Sequence, residues 1–246
     1  MSHSTEIQAW FGSKRVPRAE VLEWETKRAT KNLRKLGQPV PTGDIRVLRT
    51  ALLDARLALG RTGIEERLAR EIKLSDRVTG AIAKASGRHR RVSQVELFAP
   101  GVKASLLPDW YLAKAEADDE SAFLAACPDH HLFRPIEDPR GQEVWETTGG
   151  SPMASRFFFE LEATDGLVTP ADTNYPIQMA GVARLANGTV IGGIRHQFRD
   201  EADGARALLT VELPWLIGPV APAAHRWHLA CEFSAWIEAS AKPGTP

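Results

Sequence analysis

The chain closes on a helix that needs a cover. In "PVAPAAHRWHLACEFSAWIEAS", residues 219–240, Pro222 stands at an opening turn and good helix formers follow. At about 100° per residue, Leu229, Phe233, Trp236 and Ile237 fall on one apolar face. His225, His228 and Glu232 share one edge of that face. Their spacings of three, four and seven let each touch the others. Two imidazoles and a carboxylate beside an apolar face are what a metal site or a general acid/base site needs. The same three residues also read as a polar seam, since i,i+4 pairs stabilise many helices.

The cover is predicted just upstream. "RVSQVELFA" (91–99), "QEVWETT" (142–148), "SRFFFELEA" (155–163) and "ARALLTVELPW" (205–215) read as strands. In 155–163, Phe157, Phe159 and Leu161 share one face, and Phe158, Glu160 and Glu162 the other. "IQMAGVARLANGTVIGGIRHQFRD" (177–200) reads as a hairpin turning at Asn187-Gly188 with a type I′ turn. Between the first two strands, Asp118 or Asp119 caps a short helix, "ESAFLAAC", stopped by Pro128. Meandering strands that hand over to a terminal helix predict an α+β fold. In it, a helical N-terminal region precedes a curved antiparallel sheet wrapped around the long C-terminal helix.

The first ninety residues read as helical. Glu20 to Leu36 carries Val21, Trp24, Leu33 and Leu36 at helical spacing, with Gly37 as a stop. Asp44 caps a second helix that runs through Leu59 and ends at Gly60. Ile64–Leu74 and Ser75–Ala85 read as further short helices, broken near Leu74–Ser75. A helix-turn-helix at that break lacks a turn glycine and a cluster of base-reading side chains, so packing helices are expected. The division predicted is a basic helical region, 1–91, and a helix-grip-like domain, 92–246.

The net charge of zero hides an asymmetry. Residues 1–92 hold 20 Lys/Arg and 10 Asp/Glu, leaving 11 and 21 for the remainder. Such a split marks either a nucleic-acid-binding arm or two parts of one fold that attract each other. Apart from "GRHRR" at 87–91 the basic residues are spread along helices, with no interleaved aromatics to stack single strands, so nucleic acid is not the expected partner. Apolar residues at 43% and charged residues at 25% suit a globular chain. No apolar run approaches the roughly 20 residues of a membrane span, and "MSHSTEIQAWFGSKR" lacks the apolar core of a secretory signal. Cys127 and Cys231 stand far apart without a CxxC context. A reduced, cytoplasmic setting and no membrane partner are the expectation. Dinucleotide, Walker, GxSxG and HExxH signatures are absent.

The element order over residues 92–241 resembles the helix-grip fold of START and Bet v1-like proteins, in which a curved sheet wraps a long C-terminal helix over an apolar cavity. Within it, "HLACE" (228–232), "CPDHHLF" (127–133) and "GGIRHQFRD" (192–200) are similar to the zinc-dependent hydrolases that cleave a carbon–carbon bond of acylphloroglucinols, such as diacetylphloroglucinol hydrolase and phloretin hydrolase. Those enzymes take a His and a Glu from the sheet region and a His-x-x-x-Glu pair from the last helix. The resemblance implies zinc held by His130 (or its neighbour His131), Glu160, His228 and Glu232; the cleavage also needs a proton for the departing ring carbon, for which His196 or His225 is the candidate. The N-terminal helices are not typical of that family. Three readings therefore stand: a metal-dependent hydrolase of an acylated aromatic small molecule, a non-enzymatic binder of a hydrophobic small molecule, and a nucleic-acid-associated protein led by the basic half.

Overall fold

The computed structural model describes residues 6–136 and 141–242; residues 1–5, part of the N-terminal stretch read above, lie outside them. Nine strands form one antiparallel sheet: β1 (Gln8–Phe11), β2 (Lys14–Val16), β3 (Arg90–Pro100), β4 (His130–Pro135), β5 (Gly141–Glu146), β6 (Ser155–Leu161), β7 (Ile177–Arg184), β8 (Val190–Glu201) and β9 (Gly204–Pro214). Their spatial order is β2-β1-β3-β9-β8-β7-β6-β5-β4. The helices are α1 (Arg18–Lys35), α2 (Ile45–Ser86), α3 (Leu106–Glu116), α4 (Glu120–Ala126) and α5 (Val220–Ser240). From β3 onward the order is strand, two helices, six strands, helix, and α5 packs its apolar face into the sheet. This is the α+β, helix-grip-like arrangement the sequence predicts.

Buried Leu229, Phe233, Trp236 and Ile237 join β3, α3 and α4 in the main core. A second cluster joins Leu33 and Leu36 of α1, Leu52, Ile64 and Leu68 of α2, and Leu132 and Trp145 of β4 and β5. The N-terminal segment is therefore not only helical. It supplies the edge hairpin β1–β2, paired to β3, and its helices share cores with the sheet.

Three local expectations are corrected. α2 continues without a break at Leu74–Ser75, because its one non-helical residue is Gly60, at φ 59° and ψ 178°. The hairpin turns at Asn187-Gly188, but only Gly188 has positive φ, 80°. Gly188 N–H bonds Leu185 O at 2.8 Å, so a type I turn is followed by a left-handed glycine, where type I′ requires two positive φ values. Finally, α3 and β4 carry no sequence-predicted element. Asp119 is the residue that caps α4, accepting from Ala122 N–H.

The charge division is partly answered by contacts between the halves. Arg28 meets Asp129 at 2.6 Å, Arg18 meets Glu238 at 3.1 Å, and Arg61 meets Asp118 and Glu120 at 2.7 and 2.9 Å.

Candidate functional site

The sheet and α5 enclose a cavity of about 170 Å³. Its walls are mostly apolar, with Phe133, Val144, Phe157, Phe159, Phe233 and Trp236 among them. Ser75, Asp76 and Thr79 of α2 contribute to the lining, together with Leu213 and Pro214 at the end of β9 and Ile217 after it. Against this apolar background, Glu146, His196, His225, His228 and Glu232 also line it.

Three features of the chain bring the polar groups together. On α5, four-residue spacing stacks His228 over Glu232. On β5, period-two alternation turns Val144 and Glu146 into the cavity, while Glu143 and Trp145 face the other way. Between β4 and β5 the register runs His130↔Glu146, then Leu132↔Trp145, so His131 is an extra, bulged residue. The bulge leaves His130 directly beside Glu146 and re-aims the strand so that Phe133 also reaches the cavity. His131 turns away, its Nε2 2.7 Å from Thr147 Oγ1.

The resulting cluster is compact. His130 Nε2 lies 3.1 Å from Glu232 Oε1 and 4.0 Å from Glu146 Oε2. His228 Nε2 lies 3.7 Å from both Glu146 Oε2 and Glu232 Oε2. A tetrahedral ion with bonds of about 2.0–2.2 Å spaces its ligands about 3.3–3.6 Å apart, and these four separations bracket that range. Two overlapping trios, Cys127/His130/His228 and Glu146/His225/His228, have ligand atoms within 4.8 Å of one another, all buried.

The outer contacts orient the rings. His130 Nδ1 is 2.8 Å from the Phe123 carbonyl oxygen, which has no proton to give, so Nδ1 carries one. Nε2 is buried, has no hydrogen bond of good geometry, and faces a carboxylate. Two acceptors at that distance repel unless a proton or a cation lies between them. His228 Nδ1 faces Asp129 Oδ2 at 3.5 Å and Cys127 Sγ at 3.7 Å, which turns Nε2 to the two glutamates. A carboxylate behind a ligating imidazole is the usual outer arrangement of a metal site.

Charge follows from these contacts. Burial pulls His228 down, but Glu146, Asp129 and Glu232 outweigh it and raise its pKa to about 9. Burial pushes Glu146 above the ordinary carboxylate value even with two histidines beside it. Burial also pushes Glu232 up, but His130 and His228 draw it below its ordinary value. His196 is lowered to about 4 by burial, and its Nδ1 accepts the Thr210 amide at 3.2 Å, so its proton sits on Nε2. His225, stacked on His228 with centroids 4.8 Å apart, is held neutral by burial and by His228, and its Nδ1 has no hydrogen-bond partner. Gly149 makes this stack possible. At φ 52°, a Cβ there would lie 2.9 Å from His225 Cβ.

Of the sequence-nominated residues, His130, His228 and Glu232 therefore converge, with His196 and His225 on the same cavity. Glu160 does not join them. It sits on the opposite face of β6 from Phe157 and Phe159, partly exposed, 3.7 Å from Arg184. The sheet glutamate in the cluster is Glu146, which the sequence reading missed. His130↔Glu146 pairing depends on a bulge, and no local pattern announced it.

No protein-family model matches the chain, and no curated protein is similar to it in sequence. Among solved structures it is similar to Ara h 8.0201, with a TM-score of 0.40, 10% identity, and coverage of 62% of this chain and 95% of that one. It is also similar to protein Ms6760 from Mycobacterium smegmatis, with a TM-score of 0.36, 11% identity, and coverage of 60% and 88%.

Proposed function

We propose that the protein is a metal-dependent hydrolase that cleaves a carbon–carbon bond of an acylated aromatic small molecule, with zinc held by His130, Glu146, His228 and Glu232. The observation that carries this is the buried, acceptor-rich cluster at one end of an apolar cavity. Two carboxylates and two imidazoles meet there, with His130 Nε2 left without a hydrogen bond and no guanidinium or ammonium among them. The donor set, nitrogen and oxygen with outer hydrogen bonds from both rings, suits zinc. It also matches the pattern implied by the resemblance, a His and a Glu from the sheet and a His-x-x-x-Glu pair from the last helix, with Glu146 in place of Glu160.

A divalent ion held there supplies a Lewis acid for a carbonyl oxygen and lowers the pKa of water. The chain's own groups do the rest. The aromatic walls hold the substrate ring and exclude water. His196 presents Nε2–H, a neutral donor suited to hold a carbonyl or ring hydroxyl oxygen. His225, neutral and with Nδ1 unpartnered, offers a second polar contact to the substrate at the cavity wall. Tyr111 keeps its proton, because burial and the nearby Glu232 raise its pKa, and it spends that proton on Gln142 at 2.5 Å.

The test is elemental analysis of the purified protein, followed by assay with diacetylphloroglucinol and phloretin. Stoichiometric zinc and cleavage of either compound support the reading. Cavity binding of these compounds without metal or turnover replaces it with the second reading, a carrier of hydrophobic small molecules. That reading is favoured by the apolar walls alone.

A further inference from the structure

We infer that the tip formed by the β9–α5 link and the end of α2 docks on an anionic lipid surface, so that a hydrophobic ligand passes between bilayer and cavity. The chain has no helix long and apolar enough to cross a membrane among its described residues, and this docking needs none. The link from β9 to α5 is uncharged from Leu213 to Ala224 and carries three outward-facing apolar side chains. Trp215 is 47% exposed, Leu216 56% and Val220 77%. Solvating such a cluster is unfavourable, and a tryptophan beside aliphatic side chains is the composition of an interfacial anchor.

The charge around this tip points to the occupant. Residues 77–92 contain Arg77, Lys84, Arg88, Arg90 and Arg91 and no acidic residue, and they include the one bunched basic run of the chain. That run is fixed against the tip. Trp215 N–H bonds His89 O at 3.1 Å, Arg91 Nε donates to Trp215 O at 2.7 Å, and the Arg91 guanidinium stacks 3.9 Å above the Trp215 ring. Leu216 N–H is held by Ser86 Oγ at 3.0 Å. Lys84 and Arg88 face solvent. An apolar wedge ringed by cations matches the headgroup layer of an anionic bilayer, where each basic residue contributes about 1 kcal/mol. A protein partner would need an acidic ring of matching shape, for which nothing here argues.

The tip is continuous with the cavity. Leu213, Pro214 and Ile217 flank the exposed residues and line the cavity itself. A ligand apolar enough for those walls also partitions into lipid, so an anchor beside the cavity shortens its route. The inference uses only the apolar cavity and stands whether or not the cluster binds metal.

The experiment is co-sedimentation of the full chain with vesicles of phosphatidylcholine alone and of phosphatidylcholine with phosphatidylglycerol. Binding is expected with the anionic vesicles and to fall as salt rises. Two variants locate it. Lys84→Glu/Arg88→Glu should weaken partitioning at least about 25-fold, from about fivefold for each cation lost. Trp215→Ser/Leu216→Ser/Val220→Ser should abolish it. All the replaced side chains except that of Trp215, which is half exposed, are exposed, and an unchanged circular dichroism spectrum and Tm confirm folding. No sedimentation with either vesicle overturns the inference, as does equal binding to neutral and anionic vesicles, or apolar-tip variants that bind like the parent. A dimer that the tip variants dissociate, without vesicle binding, also overturns it and assigns the tip to self-association.

Discussion

Asp129 and His130 are neighbours in sequence and both fully buried, yet they sit in two polar clusters of opposite character. Asp129 lies in a knot that the chain closes for itself. Its Oδ1 accepts from Arg28 Nε at 2.7 Å and Asn32 Nδ2 at 2.8 Å, both on α1. Arg56 of α2 donates to the carbonyls of Leu124, Cys127 and Pro128 just before it. Burial pushes Asp129 up, but His228 and Arg28 hold its carboxyl at about 2. The next residue, His130, faces a cluster with two carboxylates and no permanent cation. A buried charge that its own chain pairs is explained by folding. The second cluster sets its two carboxylates against titratable imidazoles alone, and two carboxylates with two imidazoles are a donor set suited to a metal ion. The N-terminal helices thus serve the site indirectly. They clamp the segment that carries His130 and hold the carboxylate standing behind His228.

The largest effect expected follows from treating the clusters as different in kind. His228→Ala and Glu146→Gln should each abolish stoichiometric zinc and all cleavage, read by elemental analysis and product formation. Glu160→Gln should leave both unchanged. Metal loss in Glu160→Gln with retention in Glu146→Gln would reverse the assignment. Glu232→Gln should lose metal and also lose stability in chemical denaturation at pH 7, because its ionised form is paired with His130 and His228.

The knot should respond the other way. Arg28→Ala leaves Asp129 buried with one cation fewer, and a loss of about 3–5 kcal/mol in urea unfolding is expected. Zinc stoichiometry in the protein that remains folded should hold. A mild stability loss with loss of metal would mean that the knot belongs to the site. Asp129→Asn probes the seam between the clusters. It should weaken zinc affinity by about 10–100-fold, since His228 loses the carboxylate behind its ring. Competition with a chromogenic chelator measures this.

How much of this was legible follows from the range of the interactions. α5 announced itself, because helical periodicity and i,i+4 pairing are local, and His228 with Glu232 came with it. The strands after residue 92 were legible by alternation, and the terminal helix then fixed the architecture. Glu146 was not legible. β5 is buried on both faces, by α2 and by the cavity, so its glutamates gave no wet face to read. Glu160 was in fact disfavoured by parity. With Phe157 and Phe159 on the cavity side, position 160 has to point away. The kink at Gly60 was legible, but the continuous helix through Leu74–Ser75 was not: Ser75 breaks the apolar pattern because its hydroxyl meets Ser155 of β6 at 2.9 Å, a tertiary contact rather than a helix end. The β1–β2 hairpin has strands of only four and three residues, below what periodicity reveals.

A third ionic cluster sharpens the contrast and carries the smallest effect. Arg206 and Arg199 flank Glu201 on the exposed end of β8 and β9, at 2.5 and 2.8 Å. Like the knot it is charge-complementary; unlike the knot it is wet. Hydrogen bonding from Arg206 foremost, with Arg199 adding to it, draws the Glu201 carboxyl to about 2 from an unfolded value near 4.5. A carboxylate with a lowered folded pKa stabilises the fold above the unfolded value and loses that contribution as pH falls through the folded one. The window for Glu201 is therefore pH 4.5 down to about 2, and solvent screening keeps the effect small. Glu201→Gln should shift Tm by no more than a degree or two at pH 7 in low salt, and the difference from the parent should vanish near pH 2 or in about 1 M salt. A shift as large as that of Arg28→Ala would show that pairing alone, and not burial, sets the worth of these clusters, and the distinction between the two buried ones would then rest on charge balance only.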